Sequence, residues 1–181
     1  SALLSTAAKA ATWLAPQPPV VMPPEADIDA LAKILNEGER ITLMCGAGCA
    51  GAHAEIVELA ETRNAPIVHS LRGKEHVEYD NPFDAGMTGL IGFSSGYAAM
   101  KACDTLLLLG CDFPYRQFYP EGATVAQVDI RAESLGNRCH LALGVVGDVL
   151  ATVIALLPKL KKKTDSKFLD AARADYRKAR D

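Results

Sequence analysis

Apolar and polar positions along this chain fall into two recurring patterns, short unbroken apolar runs and longer stretches with a helical repeat. Ile41-Thr42-Leu43-Met44-Cys45 is one such run, and Asp104 to Gly110, reading DTLLLLG, is the clearest. Segments apolar on both sides of the backbone suit parallel strands buried between two layers of helices. The same reading predicts strands over Pro66–Ser70, Ala123–Ile130 and Leu141–Val146. Between the strands, Ile28, Leu31, Ala32 and Leu35 share one helical face that begins at Asp27 and ends at Gly38. His53, Ile56, Val57 and Ala60 recur at i, i+3, i+4 and i+7 within a helix over Ala52–Arg63. A third helix runs through Ala99–Ala102, capped by Ser94 or Ser95. A fourth carries Val149, Leu150, Val153, Ile154 and Leu157 on one side before Pro158 stops it. Strands that alternate with helices predict an α/β fold: a doubly wound, mostly parallel, Rossmann-like sheet with helices on both faces.

The ends and one internal stretch break the pattern. Prolines at Pro16, Pro18, Pro19, Pro23 and Pro24 cannot continue a helix, so residues 1–24 read as a linker or lead-in. A chain that opens into such a connector reads as a piece of something longer. Residues 25–160 then form the nucleotide-binding domain, and 161–181 a basic run followed by a short amphipathic helix suited to a second linker. Leu71 to Gly96, rich in Gly, Asp, Asn and charge, reads as one long loop, which in a compact domain marks function.

Composition narrows the possibilities. A chain of 181 residues, 49% hydrophobic and 23% charged, is long enough for one full core. Its net charge of −3 offers no general attraction for nucleic acid. Cys45, Cys49, Cys103, Cys111 and Cys139 are odd in number and lie in apolar contexts, as reduced thiols of a cytoplasmic protein do. Cys45 and Cys49 straddle a glycine turn and Cys139-His140 stand alone, so no metal site is expected.

The candidate chemistry starts at that turn. Gly46, Gly48 and Gly51 form G-x-G-x-x-G between a strand and a helix, the context in which the motif cradles a dinucleotide diphosphate. In that reading the first glycine makes the turn, the second admits the diphosphate to free backbone N–H groups, and the third lets helix approach strand. The acidic residue expected about 20 positions later is missing, because the second strand ends at Ser70 and is followed by Arg72, Gly73 and Lys74. Polar or glycine signatures do recur at every strand end: Arg72, the DFPYR after LLLLG, Asp129, and Gly147-Asp148. Ligands of such sheets bind at the carboxyl ends of the strands, so together these ends predict a site for an extended dinucleotide.

LRGKEHVEYDNPFDAGMTGLIGFSSG, the DFPYR run and the Asp129-Ile130 strand end resemble the central domain of pyruvate oxidases, with the quinone-reducing pyruvate dehydrogenases as the nearest likeness. The resemblance extends over about Asp27 to Asp181. It implies FAD in this domain, with thiamine diphosphate and Mg2+ in flanking N- and C-terminal domains whose signatures this sequence does not contain. It also implies a homotetramer that converts pyruvate to acetate or acetyl phosphate and CO2, passing electrons to flavin and then to quinone or oxygen. The chain by itself is then catalytically silent. The implied localisation is cytoplasmic, with quinone-linked relatives docking on the inner face of the cell membrane.

Carried over by motif, the resemblance puts Gly46, Ala47 and Gly48 against the diphosphate through their N–H groups. Arg72 and Gly73 lie along the cofactor, and Thr88, Gly89, Leu90 and Ile91 pass beside the ribityl chain and flavin. Cys111, Asp112, Phe113, Pro114, Tyr115 and Arg116 approach the flavin end, Asp129 and Ile130 the adenosine ribose, and Asp148 the adenine. Simpler roles stand beside these. Asp148 suits a helix N-cap, Arg72 and Arg116 suit salt bridges between domains, and His69 and His76 suit satisfied loop or core positions. Arg131, where relatives carry Asn or Asp, adds positive charge beside the ribose position. Two other functions share these signals: an acetolactate-synthase-like carboligase with non-redox FAD, and a stand-alone NAD- or ADP-binding module.

Overall fold

In a computed structural model, residues 19–181 are described. Six strands form one sheet: β1 (Ile41–Cys45), β2 (Ile67–His69), β3 (Asp84–Met87), β4 (Thr105–Leu109), β5 (Thr124–Asp129) and β6 (Leu143–Val146). Every adjacent pair is parallel, and the strand order is β3-β2-β1-β4-β5-β6. The helices are α1 (Glu25–Glu37), α2 (His53–Arg63), α3 (Lys74–Val77), α4 (Ser94–Ala102), α5 (Val149–Leu156) and α6 (Lys167–Arg180). The doubly wound α/β architecture is therefore present, with the sheet parallel throughout.

Successive side chains of a strand point to opposite faces, and β4 shows how this feeds two cores. Leu107 and Leu109 pack with Leu31, Leu35, Ile56 and Val153 of α1, α2 and α5. Leu106 and Leu108 pack with Ala99, Met100 and Ala172 of α4 and α6. Burial on both faces explains why the central strands read as unbroken apolar runs.

Several expectations need correction. The stretch read as one loop, Leu71 to Gly96, contains helix α3 and strand β3. β3 is an edge strand of sequence DAGM, set by pairing Asp84 with Ile67 and Met87 with His69, so its own residues carry no strand signal. Neither Ser94 nor Ser95 caps α4; the Ser95 hydroxyl instead donates to Ala85 O at 2.8 Å, tying the helix to β3.

Residues 161–181 include the expected helix, α6, and they pack on the domain. Asn36 Nδ2 donates to Lys159 O at 3.0 Å, Lys163 N–H donates to Thr62 O at 2.8 Å, and Arg63 Nη1 donates to Lys161 O. These bonds strap the chain across the ends of α1 and α2. Leu169, Ala172 and Tyr176 of α6 are then buried against β3 and α4. The amphipathic stripe finds its partner within the domain. The lead-in expected over residues 1–24 lies mostly outside the described residues. Of its last part, Val21 O accepts from Asp148 N–H at 2.8 Å and Pro23 packs on Gly147. No helix among the described residues is long and apolar enough to cross a membrane.

Candidate functional site

Strand order reverses between β1 and β4, and a crevice opens there above their carboxyl ends. The glycine turn lies in this crevice, and its geometry differs from the sequence expectation. Gly46 N–H donates to Leu109 O at 2.9 Å and Gly48 N–H to Gly110 O at 3.0 Å. A Cβ on Gly48 would sit 2.7 Å from Gly110 Cα, and one on Gly46 would sit 2.3 Å from Gly110 O. These two glycines let two backbone turns cross, and their amides are already donated, so they are not phosphate donors. Gly51 has φ +79° with open space around it. Its role is a left-handed turn into α2, not close contact of helix and strand.

Two clefts meet over this crossing. The first, about 480 Å³, is lined by Gly46, Ala47, Ser70, Leu71, Arg72, Met87–Ile91, Gly110–Tyr115 and Arg131. The second, about 420 Å³, is lined by Ala47, Gly48, Ala50, Arg72, Gly110, Asp129–Arg131 and Gly147–Val149. Thr88, Gly89, Leu90, Ile91, Cys111, Asp112, Phe113, Pro114 and Tyr115 thus gather on the first, and Asp129, Ile130 and Asp148 on the second. Gly73 and Arg116 line neither. A Cβ on Gly73 would lie 2.3 Å from Cys45 O, so its place is set by packing beneath the turn. Arg116 points away and donates to Asn137 O at 3.1 Å. Ser70, Leu71, Met87 and Gly110 were missed, although each adjoins a named residue at a strand end.

The first cleft is apolar and aromatic on one wall. Phe113 is buried, with its ring edge-on to Tyr115 at 5.2 Å and to Phe118 at 5.7 Å, and Tyr119 hydroxyl donates to Phe113 O at 2.8 Å. Thr88, which also lines this cleft, is 3% exposed and its Oγ1 has no hydrogen-bond partner among the described residues. A buried hydroxyl left unpaired costs stability unless something else satisfies it. Leu71, Leu90 and Ile91 are exposed at the rim.

Charge is distributed unevenly. Asp112 forms a two-pronged pair with Arg138 at 2.7 and 3.1 Å, and that guanidinium holds its carboxyl below the usual range. Asp148 caps α5 by accepting from Ala151 N–H at 3.0 Å, and it also borders the second cleft. Asp129 is buried, with Oδ1 accepting from Arg131 N–H at 2.9 Å. Burial pushes the Cys111 thiol up to about 12, so the cysteine lining the first cleft stays protonated. All five cysteines are free thiols, and among the described residues no group of His, Cys, Asp or Glu is placed to hold a metal ion.

The two histidines near the site face elsewhere. His69 is buried on β2, with Nδ1 3.3 Å from Ser70 O, while Nε2 lies 3.4 Å from Glu78 and 3.6 Å from Asp84 and has no hydrogen-bond partner among the described residues. It is therefore not a fully satisfied core residue. His76 O accepts from His53 Nδ1 at 3.1 Å, part of the packing between α2 and α3.

Comparison with known proteins agrees with this architecture. Residues 28–156 match the family model of the thiamine pyrophosphate enzyme central domain. The chain is 66% identical over 168 residues to an uncharacterized 42.6 kDa protein in the isoamylase 3' region of Pseudomonas amyloderamosa, covering 93% of this chain and 42% of that protein. It is 32% identical to the putative thiamine pyrophosphate-containing protein YdaP of Bacillus subtilis, over 82% of this chain and 26% of that protein. It is also 32% identical to a probable acetolactate synthase large subunit of Methanocaldococcus jannaschii, over 79% of this chain and 26% of that protein. The chain thus spans less than half the length of these relatives. With six parallel strands, a crevice at the reversal of strand order and a family match across most of its length, the chain belongs to the central domains of thiamine pyrophosphate enzymes.

Proposed function

We propose that this domain binds FAD across the two clefts and serves a thiamine-diphosphate enzyme of the pyruvate oxidase type. The observation that carries the reading is the first cleft, walled by the Phe113–Tyr115 aromatic pair and joined at Ala47, Arg72, Gly110 and Arg131 to a second cleft that holds Asp129. An aromatic wall on a cleft with an apolar rim suits a flat ring system, which the rings pack against. The second cleft suits an adenosine. Asp129 keeps one carboxylate oxygen for a ribose hydroxyl, while its other oxygen is fixed by Arg131 N–H. The residues present fit the group.

When bound, FAD supplies two-electron redox chemistry. The chain's own part is to orient it. Phe113 and Gly89 set the width of the ring cleft, since a Cβ on Gly89 would lie 3.5 Å from the Phe113 ring. Leu71, Leu90 and Ile91 form an apolar rim that the flanking N- and C-terminal domains would cover, keeping water from the ring. In the full protein, a homotetramer, pyruvate would be converted to acetate and CO2, with electrons passing to quinone or oxygen. The thiamine diphosphate and Mg2+ would lie in those flanking domains, and the protein would work in the cytoplasm, docking on the inner face of the cell membrane where its acceptor is a quinone.

A second reading is supported by the relatives named as acetolactate synthases, from Methanocaldococcus jannaschii and Mycobacterium leprae among others. Here FAD is bound without redox exchange and the reaction joins two keto acids. Both readings predict the same first result. Titration of the purified chain with FAD, NAD and ADP, followed by flavin fluorescence and calorimetry, is expected to give saturable FAD binding stronger than NAD binding. Asp129→Ala should weaken it about ten-fold. Preference for NAD would overturn both in favour of a separate nucleotide-binding module. The full-length protein given pyruvate then separates them, by acetate with acceptor reduction in one case and acetolactate without it in the other.

A further inference from the structure

The residues common to both clefts are Ala47, Arg72, Gly110 and Arg131, so a ligand spanning the two passes two arginines. In a dinucleotide the link between the two ring systems is the diphosphate. Most of the usual donors for such an anion, the amides of the glycine turn, are spent here: Gly46, Gly48, Cys49 and Ala50 all donate to backbone carbonyls, and of the turn residues at the junction only Ala47 keeps its N–H without a backbone acceptor among the described residues. We infer that Arg131 acts with Arg72 as a guanidinium clamp on the diphosphate, making this junction selective for nucleoside diphosphates and dinucleotides over uncharged nucleosides. The inference rests on the proposal that a nucleotide occupies the two clefts, and it names the residues that hold its anion.

The charge at the junction supports it. Each guanidinium offers five N–H donors in a planar fork that matches phosphate oxygens. Arg72 makes no hydrogen bond or ion pair among the described residues. Arg131 reaches the Asp129 carboxylate only loosely, Nε lying 3.8 Å from Oδ1, while its side chain is 60% exposed. Asp129 itself binds the backbone N–H of Arg131, which fixes that residue at the rim and leaves the fork available. The nearby carboxylates are committed elsewhere, Asp148 to the start of α5 and Asp112 to Arg138. Two positive groups therefore face a site with one local carboxylate, which leaves an unneutralised positive charge where a diphosphate would cross. Arg131 is the informative member, since its contact with Asp129 couples the ribose end of the ligand to its phosphates.

The test compares ADP, AMP and adenosine binding to the full 181-residue chain by calorimetry, at low and high salt, for the unmodified protein, R131Q, R131K and R72Q. The clamp predicts that ADP binds at least about ten-fold more tightly than adenosine and that salt narrows the gap. R131Q and R72Q should each lose about ten-fold for ADP and little for adenosine, with R131K between. Circular dichroism melts confirm that the variants are folded. Unchanged ADP affinity and salt dependence in R131Q would overturn the clamp, even with FAD bound normally. Equal affinity for ADP and adenosine in the unmodified protein would overturn it too, leaving a nucleoside site. Binding of neither ADP nor FAD at millimolar concentration would overturn the clamp and the flavin proposal together.

Discussion

Gly48 and Gly51 carry the same letter for different physical reasons, and substitution separates them. Alanine at Gly48 must push aside the backbone of Gly110, which cannot yield without displacing the end of β4. Overpacking of this kind costs about 3 kcal/mol. Alanine at Gly51 meets nothing within 4 Å and pays only for its left-handed backbone, about 1 to 2 kcal/mol. Urea denaturation of the two variants should therefore rank Gly48→Ala well below Gly51→Ala. His69 makes a second prediction at this scale. Burial holds its imidazole below the ordinary 6.5, with Lys74 adding to that and Asp84 and Glu78 opposing it. An unfolded chain binds a proton near 6.5 that the folded one accepts only at lower pH. The contribution of His69 is thus intact above about 6.5 and is lost as pH falls through the interval beneath it. Burial lifts Asp84 above the usual carboxylate range, which works in the opposite sense at the acid end of that interval. Urea midpoints measured at about pH 7.5 and about pH 5.5 should fall less in His69→Gln than in the unmodified protein.

At the scale of elements, what could be read from the chain was whatever owed its form to its own residues. Central strands announced themselves because both faces are buried, and α5 because Asp148 is followed by a stripe of apolar positions. The glycine spacing was visible, but its partner, Gly110, lies on another strand end, so the turn read as a ligand cradle and not as a crossing of two backbones. β3 and α6 were hidden for a related reason. DAGM is a strand only because β2 offers it a parallel edge, and α6 belongs to the domain only because β3 and α4 accept its stripe. Two variants test these elements. Asp148→Ala removes the acceptor for Ala151 N–H and should cost about 1 kcal/mol. Tyr176→Ala removes a ring packed over Gly86 and edge-on to Phe93 at 5.5 Å. A loss of about 3 kcal/mol is expected, together with faster proteolysis between residues 78 and 96. A dangling linker helix would produce neither effect.

The molecule as a whole is two half-sheets that share one seam. β3-β2-β1 and β4-β5-β6 meet where β1 pairs with β4, and above that pairing the Gly46–Gly48 turn locks against Gly110. The first cleft draws on the β1, β2, β3 and β4 ends and the second chiefly on β5 and β6, so each half contributes most of one cleft. A ligand reaching both would tie the halves together, whereas a fragment of it would act on one. Amide hydrogen exchange can read this directly, because binding raises the free energy of local opening where contacts form. Under the flavin proposal, FAD should slow exchange in residues 87–91 and also in 129–131 and 147–149. ADP should protect only the latter two segments, and FMN only the first. Protection by FAD confined to 129–131 and 147–149 would mean that the ring system lies outside the aromatic cleft, and the role given to Phe113 and Gly89 would fail. Protection in all three segments by ADP alone would mean that the halves respond as one rigid body, and the division of the site at the seam would fail instead.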